Sequence, residues 1–456
     1  MRNSAVLLST LMVGLVLALS VAVLPAVSSA PSLGGSLGAA VSIHLPYVGK
    51  QHSPLAMTPT RTVTPVLTRT ATPTPTRTHT PVAPTVHTLP ITAGKPTAIE
   101  AYQAGNKFYV AESLGGKLLV FDGNTHELTK SISISGIVLG SNLVVNETYG
   151  RAYAASRIWD GSEFGNGSGL IYVVSTVSDT ILTTINPIPP LGTSRYVMAH
   201  DEARDRVYVS AYGLIYIDVA TNAVHPVALP VGEPFFFLIN EMTVNEITNE
   251  VYLVQTGDYG YHRLWILDAD AWTWSWVDFV PLGAYYPQHV AVSETENKVF
   301  VKLIGIPGQP EPGIYVQDRD NGSYAFIGND DYGEMVVNEL SGRLFSGVEV
   351  GQNAAVIDVT TNALFNVPLH ALYGGAVAVN VRQSTDHAFV ADQEYVALID
   401  GANRSTRLFP MANTPTGGIL VQDVAVNQST GWVYVIPDDD WPFIAAVRDP
   451  PAGPLQ

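Results

Sequence analysis

The sequence predicts an all-β protein: a single ring of repeated four-stranded units, the architecture called a β-propeller. Three observations predict it. Only 14% of the residues are charged while 46% are hydrophobic, a balance that suits buried strands better than surface helices. Gly (39) and Pro (31) supply the many turns such a chain needs. The third observation is a phrase that returns along the chain. An apolar pair ends in Asn, a short polar turn follows, and then an aromatic or β-branched strand. The clear copies are Val144-Val145-Asn146, Thr243-Val244-Asn245, Val336-Val337-Asn338 and Ala425-Val426-Asn427. A unit of this size cannot bury its own apolar faces, so it stacks on copies of itself.

The front of the chain precedes the repeats. Arg2 is followed by an uncharged apolar run from Ala5 to about Val27, and Ser28-Ser29-Ala30 offers small residues for cleavage. Residues 1–30 therefore read as a secretory signal, with an uncleaved membrane anchor as the alternative. Residues 31–85 read as a disordered linker, because residues 58–87 hold twelve Thr and six Pro and too little apolar surface to fold. The propeller is expected over residues 86–449, with a short tail at 450–456. A secreted or cell-surface location follows from the signal, and a monomer is expected.

The formal charge of −17 is unevenly placed. Residues 1–94 carry Arg2, Lys50, Arg61, Arg69 and Arg77 and no acidic residue, so the remainder sets 18 basic against 40 acidic residues, a formal −22. Such a body repels nucleic acid and anionic lipid. A membrane contact is expected only through the N-terminal segment, if that segment stays uncleaved. The absence of cysteine excludes disulfides, thiolate zinc sites and cysteine nucleophiles.

Aligned on the turn that follows the apolar pair, the copies place Tyr102, Asn146, His200, Asn245, Ser293, Asn338, Asn380 and Asn427 at one position. Their spacing of 42 to 54 residues is that of propeller blades. Each unit continues with a strand that often closes on Asp, such as Tyr216-Ile217-Asp218 and Leu398-Ile399-Asp400. Eight blades are counted, and the degenerate first copy leaves seven as the alternative. The last unit supplies three strands only. The fourth is expected from Val86–Ile91, ahead of the first unit, which would close the ring and leave no open edge.

This grammar resembles the YVTN-type β-propeller repeats of bacterial and archaeal surface-layer and periplasmic proteins. Asn245 to Val254 and Val377 to Asp400 carry it best. The resemblance implies a propeller over residues 86–449. It implies little about function, because propellers of this type serve diverse roles.

Several motifs have plainer readings. Gly34-Gly35-Ser36-Leu37-Gly38 matches a nucleophile elbow but lacks a strand–turn–helix context. Asp318 to Gly322 looks like a calcium loop, yet the repeat places Asp318 at a hairpin turn. Trp272, Trp274 and Trp276 alternate and are expected on one face of an outer strand. They would pack on the adjacent blade or form an aromatic platform.

Two candidate sites remain. Loops on one face of the ring carry Trp159, Phe236, Tyr259, Tyr285, Tyr286, Tyr332 and Trp441, an aromatic surface for a protein, glycan or small ligand. Four residues before the turn position, where inner strands meet the channel mouth, the occupants include Glu241, His289, Glu334 and Asp423. No cofactor motif is present. A divalent cation is what Glu241, His289 and Glu334 would accommodate if they converged. The expectation is thus an exported binding scaffold. The alternative is a metal-assisted hydrolase or lyase, lactonase-like, at the channel mouth.

Overall fold

The computed structural model describes residues 86–449, apart from connecting segments at 92–93, 113–115, 137–141, 158–168, 187–195, 211–212, 231–238, 257–261, 280–284, 305–312, 329–330, 351–352, 370–377, 392–394, 412–420 and 438–442. The chain divides into two units, residues 1–78 and 79–456. The segments expected as signal (1–30) and linker (31–85) lie outside the described residues.

The described residues form eight four-stranded antiparallel sheets, and eight apolar clusters fill the seams between them. The molecule is an eight-bladed β-propeller. Seven sheets are built from consecutive strands. The eighth takes its outer strand from Val86–Pro90, which pairs with Phe443–Arg448 in the register Val86↔Val447 to Pro90↔Phe443. The ring therefore closes as the sequence predicts. Leu89 and the following Ile91 are buried in the seam between blades 8 and 1.

Both faces of each blade pack on neighbours, which is why the second strands read as unbroken apolar runs. Their central aromatic residues, Tyr109, Tyr153, Tyr208, Tyr252, Phe300, Phe345, Phe389 and Tyr434, are all fully buried. Each contributes about 2–3 kcal/mol of hydrophobic stabilisation. Several tyrosine hydroxyls also cross a seam: Tyr109 donates to Asp179 at 2.8 Å and Tyr434 to the Gly123 carbonyl at 3.2 Å.

Strand pairing corrects the repeat alignment at two places. In each blade the turn position pairs with the residue five later, as in Asn245↔Glu250 and Ser293↔Lys298. In blade 3 that pair is Asp201↔Arg206, and in blade 7 it is Arg382↔His387. The turn residues are therefore Asp201 and Arg382, not His200 and Asn380. Local chemistry agrees. Oδ1 of Asp201 accepts the N–H of Arg204, as Oδ1 of Asn245 accepts that of Thr248. His200 instead lies beside the turn Asn of blade 2, its Nε2 2.5 Å from Asn146 Nδ2.

The turn Asn recurs because its amide does two tasks. Its oxygen caps the tight turn, and its nitrogen reaches the next blade: Asn338 Nδ2 donates to Asp386 at 2.9 Å, and Asn427 Nδ2 to Asn106 at 2.7 Å. The Asp that closes six of the eight third strands also caps a turn. Oδ1 of Asp318 accepts N–H groups of Asp320 and Asn321, and Gly322 adopts φ +72°, so the calcium-like segment is a hairpin turn.

Trp272 departs from expectation. It lies in the turn before the outer strand Thr273–Asp278, with φ +55°, and stacks on Tyr216 of blade 3 at 5.1 Å. Trp274 donates from Nε1 to the Ala228 carbonyl of the same blade. Both pack on the neighbouring blade. Trp276, which pairs with Trp265 across the strands, remains 43% exposed.

Candidate functional site

The inner strands run Pro96–Tyr102, Leu143–Asn146, Val197–Asp201, Ile239–Asn245, Tyr286–Ser293, Asp331–Asn338, Ala378–Arg382 and Val421–Val426. Only one edge of each is paired within its blade. The other edge presents backbone N–H and C=O groups that need partners. Between these strands lies a cavity of about 420 Å³, whose lining includes Glu241, Glu246, Glu294 and Glu339.

At one end stand the residues four before each turn position. With the corrected alignment they are Ala98, Asn142, Val197, Glu241, His289, Glu334, Ala378 and Asp423. Pairing shifts just before Ala98, Glu241, His289 and Asp423, leaving Thr97, Asn240, Gln288 and Gln422 unpaired in the ladder. Such a bulge bends the strand and re-aims the side chain after it.

The carboxylates here serve the backbone of the next blade. Oε2 of Glu241 accepts the N–H of Val290 at 2.9 Å, and Oε2 of Glu334 accepts that of Val379 at 3.0 Å. Oδ2 of Asp423 accepts that of Ile99 at 2.9 Å, while its Oδ1 accepts its neighbour Val424 N–H at 2.8 Å. Glu241 also meets His289, with Nδ1 to Oε2 at 3.1 Å. Glu241 and His289 are thus brought together, but Glu334 and Asp423 are each tied to a different seam. Among the described residues, no three His, Asp or Glu side chains are grouped to hold a metal ion.

Electrostatics mark the channel as crowded. Burial, then Glu241 and Asp423, push the Glu334 carboxyl well above the usual range. Burial raises Asp423 to about 6 against its two backbone hydrogen bonds. Glu100, two residues before the turn position of blade 1, is pushed to about 8 by burial and then by Asp423 and Glu147.

The other end of the inner strands holds a second ring that sequence reasoning missed. The residue after each turn position is Gln103, Glu147, Glu202, Glu246, Glu294, Glu339, Gln383 or Gln428. Around the ring, the backbone N–H of one donates to the side-chain oxygen of the next. Gln103 donates to Glu147 at 2.6 Å, Glu147 to Glu202 at 3.1 Å, and Glu202 to Glu246 at 2.7 Å. Glu246 then donates to Glu294 at 2.9 Å and Glu294 to Glu339 at 2.8 Å. Gln383 donates to Gln428 at 3.0 Å, and Gln428 back to Gln103 at 2.7 Å. At the remaining seam Asn338 Nδ2 donates to the Gln383 carbonyl at 3.2 Å. The signal was present in sequence as a Glu/Gln column. Misplacing the turn at His200 and Asn380 put Asp201 and Val381 in that column and broke it.

The aromatic candidates separate. Trp159, Phe236, Tyr259 and Trp441 lie outside the described residues. Tyr332 is fully buried in the seam of blades 5 and 6, with its hydroxyl 3.3 Å from Asn366 Oδ1, so it offers no exposed face. Its place in a strand between two blades, rather than in a loop, is the reason. Tyr285 and Tyr286 are half-buried: Tyr285 packs on the core of blades 4 and 5, and Tyr286 lies edge-on to His262 at 4.3 Å.

No protein-family model matches the chain, and a search of curated proteins finds no match. Solved structures do resemble it. The propeller of Dos1 is similar over 79% of this chain and 95% of its own, with a TM-score of 0.56 and 12% identity. Hydrazine synthase of Kuenenia stuttgartiensis is similar over 70% of this chain and 96% of its own, with a TM-score of 0.48 and 10% identity. What is shared with the Dos1 propeller is the fold. A propeller of this kind is a general scaffold for interaction, and the identities carry no further function across.

Proposed function

We propose that this chain is an exported or cell-surface β-propeller that binds a protein, glycan or small ligand through its loop-rich face. One observation carries the reading. Three of the four ionisable side chains at the channel mouth are engaged in holding backbone amides of the adjacent blade. Their first task is to support the ring, which leaves recognition to the loops that join blades. The apolar leader, the Thr/Pro-rich segment and the YVTN-like phrase support an extracytoplasmic setting.

A thermal-shift panel of sugars, divalent cations and lactones tests it. A ligand at 100 times its Kd stabilises by about 2.7 kcal/mol. The reading expects a sugar or partner protein to shift the melting temperature, and the shift to survive Glu241→Gln. It expects the shift to vanish when residues 231–238 are shortened.

A second reading rests on the His289–Glu241 pair at 3.1 Å, at the end of the channel where Glu241 also helps raise the Glu334 carboxyl. Such a pair could serve general-base chemistry in a lactonase-like hydrolase or lyase, assisted by a divalent cation. Lactone turnover that is lost in His289→Ala, with the melting temperature unchanged, would favour this reading over the first.

A further inference from the structure

The closing strand meets blade 1 through two histidines. His87 lies on Val86–Pro90, and its ring is 5.9 Å from that of His126 in the third-to-fourth-strand turn of blade 1. His87 is also 5.4 Å from Trp432 of blade 8. His126 sits edge-on to Trp432 at 4.3 Å and to Tyr434 at 5.7 Å. The closing strand, the first blade and the last blade thus meet at one aromatic cluster.

His126 is poorly placed to carry charge. Its Nε2 is buried without a hydrogen-bond partner. A proton there would place an N–H donor in a buried position with no acceptor. Its backbone is fixed at φ +61°, with the N–H donated to the Asp122 carbonyl at 2.9 Å. The groups that face it come from every segment around it. From the closing strand comes His87, a like charge when protonated. From blade 1 comes Asp122, whose Oδ1 already accepts the N–H groups of Asn124 and Thr125. From blade 8 come the neutral Trp432 and Tyr434, with the Arg448 guanidinium 5.8 Å over the Trp432 ring. Burial holds the His126 imidazole below its usual pKa, His87 pushes the same way, and Asp122 opposes.

We propose that this cluster is an acid-sensitive latch: protonation of His126 loosens the closing strand from blade 1. The sign follows from linkage. In the open state His126 titrates near its ordinary value of about 6.5. In the closed state it resists the proton, so closure weakens as pH falls through about 6.5 and below. The latch acts at the one seam held by a strand remote in sequence from the rest of its blade.

Hydrogen–deuterium exchange of the full chain tests it at about pH 7 and about pH 5, with intrinsic exchange rates removed. Protection of residues 86–90 is read relative to the strand Lys298–Ile304, so that changes in global stability cancel. The expected result is a several-fold loss of relative protection at the lower pH. That loss should disappear in His126→Phe and shrink in His87→Gln. If His126→Phe does not fold, His126→Asn tolerates the positive φ and gives the same reading. Equal relative protection at both pH values in the unmodified chain would overturn the latch. So would the same pH dependence in the His126 variant.

Discussion

The backbone N–H of Ile99 donates to the carboxylate of Asp423 at 2.9 Å, across 324 residues of sequence. This bond joins the first and last inner strands at the channel mouth. Asp423 therefore helps the closing strand hold the ring together. Asp423→Ala leaves a buried N–H unpaired and should cost about 1–3 kcal/mol. Asp423→Asn keeps an oxygen acceptor and should recover most of it. Denaturant melts of the two variants check this. Equal loss in both would mean that charge, not the acceptor, matters.

Closure makes a second prediction. Residues 86–90 supply the whole outer strand of blade 8, and Leu89 and Ile91 fill the seam core. Deleting residues 86–91 exposes a long sheet edge and removes buried apolar surface. The melting temperature should fall by at least several degrees and soluble yield should drop. An unchanged melting temperature would show that the ring holds without its closing strand.

The channel carboxyls set the pH response. Glu100, near 8, and Asp423, near 6, bind protons more tightly when folded than when unfolded, as do Glu334, Glu246, Glu294 and Glu112. A raised carboxyl adds stability below its folded pKa and loses it as pH rises through that value. His126, His200 and His262 are lowered by burial and act oppositely below about 6.5, but they are fewer. The turn caps Asp122, Asp218 and Asp358 are held low by turn hydrogen bonds, and their contribution goes below about pH 4. Global stability should therefore rise as pH falls from about 8 to about 5 and collapse below about 4. Chemical unfolding across that range measures it, and a maximum at pH 8 would contradict the assignment.

Much of the frame is legible in the sequence. The apolar phrase fixed the period, the missing fourth strand of the last unit pointed to Val86–Ile91, and the repeat turned Asp318 into a hairpin cap. These features repeat, so eight noisy copies reinforce one another. The channel was less legible for two physical reasons. Bulges ahead of Glu241, His289 and Asp423 change where a side chain points without leaving a residue signature. In blade 7 the run Val377-Ala378-Val379-Asn380 copies the phrase two residues before the true turn at Arg382. A shift of two keeps every side chain on its own face, so the apolar pattern could not detect it. Only the turn chemistry and the Glu/Gln column could.

That column yields the sharpest test. Glu246 and Glu294 occupy it side by side, and burial and neighbouring carboxylates raise both. Yet Gln428 and Gln103 make the same backbone bond elsewhere in the ring, at 3.0 and 2.7 Å. An amide oxygen therefore suffices as acceptor, and the charge on Glu294 is a cost that the bond does not require. Glu294→Gln should keep the link to the Glu246 N–H and relieve repulsion with Glu339. A gain of about 0.5–2 kcal/mol at pH 7 is expected, of the size that charge optimisation commonly gives. The gain should fade as pH falls and the raised native carboxyl takes up its own proton. Glu294→Ala removes the acceptor and should instead lose about 1–3 kcal/mol. A destabilised Glu294→Gln would mean that the negative charge itself is needed at this end of the channel, as it would be for binding a cationic ligand.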